Sequence, residues 1–284
     1  MENLRQILAK HGFSFKKQFG QNFISDTNLL KSIVAAADAE GATVLEIGCG
    51  AGTLTREIAA KAKKVIAYEI DTKLQPVLAE TLAGVENAEV VFRDFLKADL
   101  KALEAELPPY LVVANLPYYI TSPLVMKFIE ESEKAEKLVI MVQDDVAKRF
   151  CAAAGTADYG AITASIARRA SAETVKFVPR QMFYPVPNVD SAVVKLTFIK
   201  DRIPVKSAKL YRETVRAAFL SRRKTLENNL MNAFSLPREE AAEILRRADI
   251  PDKARGETLS PEALAHLSDL LFEYGAGKNA DNGR

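Results

Sequence analysis

Over the first 200 residues two hydrophobic periods take turns. Short β-rich apolar runs occur at Thr43–Ile47, Lys64–Tyr68, Glu89–Phe92, Tyr110–Ala114 and Lys137–Val142. Between them, apolar positions recur at three- and four-residue spacing over Leu54–Lys61, Thr72–Leu82 and Pro123–Glu131. The first pattern predicts strands and the second amphipathic helices. Their regular alternation predicts an α/β fold, with a mostly parallel sheet covered by helices on both faces. Ala192–Phe198 alternates apolar and polar residues and reads as a late, antiparallel edge strand. Beyond Pro204 the strand pattern stops. Helical spacing takes over at Ser207–Phe219, Arg223–Phe234, Arg238–Arg247 and Pro261–Tyr274, the last opened by a capping Ser260 before Pro261. The boundary is placed near 200–206, giving an α/β domain with an N-terminal arm over 1–203 and a small all-helical domain over 204–284. Gly275 to Arg284 is expected to fray.

Composition adds little to this picture except by exclusion. A chain of 284 residues, 48% apolar and 27% charged, is long enough to bury a core without disulfides or metals. Two cysteines, Cys49 and Cys151, offer no disulfide framework and fit a reducing, cytoplasmic compartment. No apolar run approaches the ~20 residues of a membrane span. With His11 and His266 as the only histidines, no zinc site or His-based triad is expected. Lys and Arg total 39 against 37 Asp and Glu, so net charge alone does not announce a nucleic acid. The distribution is uneven: residues 200–230 hold nine basic side chains against three acidic, which reads as a local anion-binding face or, as for an average basic helix, a solvated surface.

Two stretches carry chemistry. In Val44-Leu45-Glu46-Ile47-Gly48-Cys49-Gly50-Ala51-Gly52 a strand runs into glycines and then a helix. Glycine permits a sharp turn and close backbone approach to a ligand, and the following helix offers unpaired N–H groups to an anion. Glu69 ends the next strand, where a carboxylate can accept ribose hydroxyls. Asp94, just past the third strand, can accept from an adenine amine or simply cap a helix. These residues predict an adenosine-containing cofactor, and a dinucleotide or S-adenosylmethionine both fit them. The glycine spacing, tighter than G-x-G-x-x-G, leans away from nicotinamide.

The second stretch is Asn115-Leu116-Pro117-Tyr118, after the fourth strand. Pro117 fixes the turn and keeps Leu116 extended. The Asn115 side-chain oxygen and the Leu116 carbonyl then point at one place, and two acceptors there hold the amine of a base. Tyr118 offers a ring for stacking. An adenine amine is a poor nucleophile because its lone pair is delocalised into the ring. Accepting both its protons favours a pyramidal nitrogen whose lone pair faces an electrophilic methyl, with no strong general base required.

Together with Phe19-Gly20-Gln21-Asn22-Phe23-Ile24, Phe183-Tyr184-Pro185-Val186-Pro187-Asn188-Val189-Asp190-Ser191-Ala192, Arg222-Arg223-Lys224-Thr225-Leu226 and Asn228-Asn229-Leu230, these stretches give the chain a family likeness. From about Lys16 to about Leu267 it resembles the small-subunit ribosomal RNA adenine dimethyltransferases of the kasugamycin-sensitivity type. The resemblance implies a class I, Rossmann-like methyltransferase fold with a seven-stranded sheet. It implies S-adenosylmethionine as methyl donor, leaving S-adenosylhomocysteine. The substrate it implies is two adjacent adenines in a hairpin loop near the 3′ end of 16S rRNA, each dimethylated on N6 during small-subunit biogenesis. By the same resemblance, Asn22 and Ile24 border the cofactor, Gly48 sits against its methionine part, and Glu46 and Gly50 belong to the cofactor-binding set. Glu69 takes the ribose, Asp94 the cofactor adenine and Asn115 the reacting end. Asn115, Leu116 and Tyr118 form the catalytic group with Phe183, the second aromatic against the target adenine. The chain departs from the family at Asp144-Asp145 and in Tyr159-Gly160-Ala161-Ile162-Thr163, stretches expected to meet RNA.

The target base must leave its stack, and phosphate contacts supply most of the affinity. Lys16, Lys17, Lys148, Arg149, Arg222, Arg223 and Lys224 are the candidates. With so modest a net charge, the expected partner is rRNA within an immature small subunit, met by a monomer. Two alternatives belong beside this: a resistance methyltransferase acting on one adenine of large-subunit rRNA, and an assembly factor whose binding matters more than its chemistry. The basic motif from Arg216 to Leu230 speaks against the former, and the intact Glu69, Asp94 and Asn115 against a purely structural role.

Overall fold

The computed structural model describes residues 4–15, 22–24 and 26–276. Lys16, Lys17 and Phe19-Gly20-Gln21 lie outside the described residues. The chain forms two compact units, one of Met1–Ala147 with Ala172–Phe198, the other of Lys148–Ser171 with Ile199–Arg284. The second unit is discontinuous: besides Ile199–Arg284 it takes in Lys148–Ser171, which nothing in the hydrophobic pattern separates.

The first unit is built on a seven-stranded sheet. Its strands are β2 (Thr43–Ile47), β3 (Lys64–Glu69), β4 (Ala88–Phe92), β5 (Tyr110–Asn115), β6 (Ala135–Gln143), β7 (Ala170–Val178) and β9 (Ser191–Phe198), in the order β4-β3-β2-β5-β6-β9-β7. The pairs β2–β3, β2–β5, β3–β4 and β5–β6 are parallel, and β9 runs antiparallel to β6, from Lys137↔Thr197 to Gln143↔Ser191. A separate two-stranded ribbon pairs β1 (Phe23–Ile24) with β8 (Phe183–Tyr184). The helices of this unit are α1 (Leu4–Lys10), α2 (Thr27–Ala37), α3 (Thr53–Ala59), α4 (Gln75–Thr81), α5 (Leu100–Ala105) and α6 (Tyr118–Glu131), and α7 (Asp144–Phe150) crosses the boundary between the units. α2 starts where the Asp26 side chain accepts from the Leu29 N–H at 2.7 Å. Val44, Val65 and Ile58 are fully buried where α3 meets the sheet, each contributing roughly 1.5–3 kcal/mol of burial.

Three sequence expectations need correction. β9 is antiparallel but not at the edge, because β7 lies outside it. α6 begins at Tyr118, five residues before Pro123, which sits inside the helix. Lacking an N–H, Pro123 cannot donate to the carbonyl four residues back, and its ring crowds that carbonyl, so the helix carries an interior proline past its first turn. α10 begins at Leu226 after a Thr225 cap, so Arg223 and Lys224 stand in the turn before it and not on the helix.

The second unit holds α8 (Ala161–Arg169), α9 (Ala208–Ala218), α10 (Leu226–Phe234), α11 (Arg238–Arg247) and α12 (Pro261–Glu273) around its own core, in which Leu226, Leu230, Ile244, Leu264 and Leu271 are buried. The Tyr211 hydroxyl donates to the Ala164 carbonyl at 2.9 Å, tying α9 to α8. Ser260 caps α12 as its sequence predicts, accepting from the Ala263 N–H at 3.1 Å.

Candidate active site

The sheet places β2 between β3 and β5, so successive parallel strands are added on opposite sides of it. In sheets of this kind ligands bind at that switch point, outside the carboxyl ends of the strands. A cavity of about 250 Å³ lies there, lined by Ile47 to Ala51 after β2, Glu69 and Ile70 after β3, Arg93 to Leu96 after β4, and Asn115 to Ile120 after β5. Asn22, Phe23, Ile24 and Phe183 of the small ribbon complete it. All eleven residues that the sequence assigned to cofactor or catalysis line this one cavity.

Gly48 is where the turn and the Asn-Leu-Pro-Tyr element meet. Its φ is 77°, and a Cβ there would stand 2.7 Å from Leu116 Cδ2 and 3.3 Å from the Asn115 carbonyl oxygen. Gly50, at φ 55°, makes a similar approach to Phe23, whose Cε1 would lie 2.8 Å from an added Cβ. Glycine is thus required by conformation and by contact at both positions. The N–H groups of this turn are largely spent inside the protein. Gly48 and Cys49 both donate to the Tyr68 carbonyl, at 2.8 and 3.2 Å, and Gly50 donates to Glu69 Oε2 at 2.8 Å. This modifies the expectation of free donors: the turn folds back on β3 and presents a close, uncharged backbone surface. A pyrophosphate finds no donors at these three positions.

Three carboxylates face the cavity in different states. Glu69 is held by backbone donors: Oε2 accepts from Gly50, and Oε1 from Ile70 at 2.9 Å and Asp71 at 2.8 Å. Burial pushes its carboxyl up, and these N–H groups pull it back. Three of its roughly four acceptor positions are occupied, leaving one on Oε2. Asp94 caps the turn that follows β4, Oδ1 accepting from the Leu96 N–H at 3.0 Å, while Oδ2 lies 3.9 Å from Lys97 Nζ. The capping and the ligand-facing readings of Asp94 are therefore compatible, one oxygen each. Glu46 is fully buried and neither of its oxygens has a hydrogen-bond partner. Burial pushes its carboxyl up to about 8; Thr55 pulls the other way but does not reach bonding geometry, and the charge of Glu69 adds to the rise.

The Asn115 amide donates from Nδ2 to the Asn22 carbonyl at 3.2 Å. A carbonyl only accepts, so this bond fixes the amide orientation and leaves Oδ1 as the acceptor. The Tyr118 ring is held by its hydroxyl, 2.9 Å from Ser191 Oγ. Ser191 is buried at the start of β9 and carries no local signal beyond its place in the Asn188-Val189-Asp190-Ser191 run. Phe183 pairs across the ribbon with Ile24 and is only 4% exposed. Thr53 was also unforeseen: its hydroxyl donates to the Ile24 carbonyl at 3.0 Å, fastening the ribbon to the start of α3. Cys49 lines the cavity, but burial pushes its thiol well up, which keeps it protonated.

The basic candidates among the described residues belong to the second unit. Lys148 and Arg149 are exposed on α7, and Arg222, Arg223 and Lys224 are exposed in the turn before α10. Arg222 has structural work as well, donating to the Ala157 carbonyl at 3.2 Å and the Tyr159 carbonyl at 2.7 Å.

Comparison with known proteins agrees with this geometry. A family model described as ribosomal RNA adenine dimethylase matches residues 12–270. Ribosomal RNA small subunit methyltransferase A of Geobacillus thermodenitrificans is 46% identical over 277 residues, covering 94% of each chain. The protein of the same name from Clostridioides difficile is 43% identical over 273 residues, again 94% of each. Among solved structures, a dimethyladenosine transferase from Plasmodium falciparum superposes with a TM-score of 0.76 at 26% identity, covering 89% of this chain and 97% of that one. The 23S rRNA methyltransferase ErmE gives 0.68 at 30% identity, covering 88% and 100%.

Proposed function

We propose, proceeding from the fact that the chain belongs to the ribosomal RNA adenine dimethylase family, that this cavity methylates the N6 amines of two adjacent adenines in a hairpin loop near the 3′ end of small-subunit rRNA. The observation that carries the reading is the contact at Gly48: its backbone stands against Leu116 and the Asn115 carbonyl, beside an amide whose free atom is an acceptor.

The residues present fit S-adenosylmethionine. Its ammonium and sulfonium groups are the kind of charge that an orphaned, buried carboxylate at Glu46 lacks. Glu46, Gly48 and Asn22 hold its methionine end, the remaining position on Glu69 Oε2 takes a ribose hydroxyl, and Asp94 Oδ2 takes the adenine amine. Bound there, it supplies an electrophilic methyl on a positively charged sulfur. The protein's own part is to position the acceptor. Asn115 Oδ1 and the Leu116 carbonyl each accept one N–H of the target amine, which turns the nitrogen lone pair away from the ring and toward the methyl. The N–C bond forms as the C–S bond breaks, and the proton of the resulting ammonium passes to water. After the first transfer one N–H remains, and one of the two acceptors suffices to hold it. Tyr118, fixed by Ser191, offers one stacking face for the base and Phe183 the other.

Relatives named for the small subunit are 43–46% identical over 94% of the chain, against 30% for the 23S enzyme, which favours small-subunit over large-subunit rRNA. The exposed Lys148, Arg149, Arg223 and Lys224 contact phosphates, and the partner is an incompletely assembled small subunit in the cytoplasm. No helix among the described residues is long and apolar enough to cross a membrane. The test is mass mapping of rRNA after incubating the protein with unmodified small and large ribosomal subunits and isotopically labelled S-adenosylmethionine. Two adjacent dimethylated adenines are expected. Label confined to large-subunit rRNA, or absent from adenine, overturns the reading.

A further inference from the structure

Among the aromatic side chains that line this cavity, one is exposed and has no part in the reaction as derived. Tyr119 follows Tyr118 on the first turn of α6, lines the cavity and is 64% exposed, the most exposed large apolar side chain among the described residues. Tyr118 is anchored through its hydroxyl to Ser191. Tyr119 has neither a ring contact nor a hydrogen bond with any described residue. Leaving such a ring in water forgoes burial free energy, and nothing in the packing of α6 requires an aromatic there. Of the other exposed large apolar side chains among the described residues, the aliphatic Ile70 also lines the cavity, whereas the aromatic Phe177 and Phe272 do not.

A base entering the cavity must be pulled from its stack, and its neighbour then loses a stacking partner. Aromatic side chains replace such partners without regard to base identity. We propose that Tyr119 is the platform on which the base next to the target adenine stacks while the target occupies the cavity. This inference rests on the functional reading above. With two adjacent adenines as substrate, the occupant is the adenine that is waiting its turn. The ring carries the contact, since the hydroxyl has no partner to preserve.

The experiment uses the full chain and unmodified small subunits, comparing wild type, Tyr119→Ala and Tyr119→Phe. Three quantities are read: KM for the subunit, kcat, and the Kd for S-adenosylmethionine by calorimetry. Tyr119→Ala is expected to raise KM about fivefold or more, with kcat and cofactor Kd within about twofold, because stacking beside the reacting base is made equally in ground and transition states. Tyr119→Phe should match wild type in all three. The inference is overturned if Tyr119→Ala leaves KM unchanged, if Tyr119→Phe loses as much as Tyr119→Ala, or if cofactor affinity falls in step with KM, which would mark a structural role. Wild type that transfers methyl to no adenine overturns the functional reading, and this inference with it.

Discussion

Glu46 is the residue on which the cofactor assignment can be separated from the fold. Its carboxyl is buried without a partner and sits at about 8, above the ordinary 4.5. A folded-state value raised in this way favours the folded protein below pH 4.5, and that contribution is lost as pH rises toward 8. Glu46→Gln, neutral throughout, should therefore match wild type in unfolding free energy at pH 4.5 and be more stable at pH 9, by up to roughly 4 kcal/mol. Denaturant titrations at the two values check this, and an equal difference at both would show that Glu46 is not held neutral. A cation in the cavity reverses the preference, so affinity for S-adenosylmethionine should rise from pH 6 to 8 in wild type and stay flat in Glu46→Gln. Glu69 acts differently, because three backbone N–H groups depend on it. Glu69→Ala should weaken cofactor binding at least tenfold by calorimetry. Unchanged affinity would remove both its ribose role and its part in shaping the glycine turn.

Among the elements, the turn after β2 is the most constrained. Gly48→Ala meets a left-handed φ and a 2.7 Å contact with Leu116 together, and should lower stability by about 2 kcal/mol or more while weakening cofactor binding. A variant with wild-type stability and affinity would mean that the close approach is not needed. This turn, with β2, β3, β5 and β6, was legible because strands buried between two helical layers read as continuous apolar runs, and β4, half-buried at the sheet edge, because of its Val90-Val91-Phe92 run. β7 was not. Residues 173–177 of this edge strand are exposed, and α8 passes into it at Ala170 with no glycine or proline to mark the change. The start of α6 was hidden by Pro123, which reads as a first-turn proline but lies deeper in the helix. Tyr118 could be picked out from its tetrapeptide, whereas Ser191, its partner 73 residues away, could not, because a single hydroxyl on a strand carries no local signal. Phe183 is buried in the core, as most Phe are, and only the family resemblance sets it beside the target base.

At the scale of the whole molecule, the proposed phosphate contacts Arg223 and Lys224 are open to a direct test. Neutralising Arg223 and Lys224 to Gln should lower affinity for small subunits and reduce the slope of log affinity against log salt by about 1–2. An unchanged slope would mean the pair contacts no phosphate. Arg222 is best left intact in that experiment, since its guanidinium holds the 157–159 backbone and its loss would confuse binding with folding. The most direct measurement is single-turnover methyl transfer by Asn115→Ala, with cofactor and small-subunit binding determined on the same preparation. Transfer should fall at least about 100-fold, as when a positioned hydrogen-bond partner of the reacting group is removed, with both binding constants within about threefold of wild type. Transfer at the wild-type rate would show that Asn115 does not hold the reacting amine.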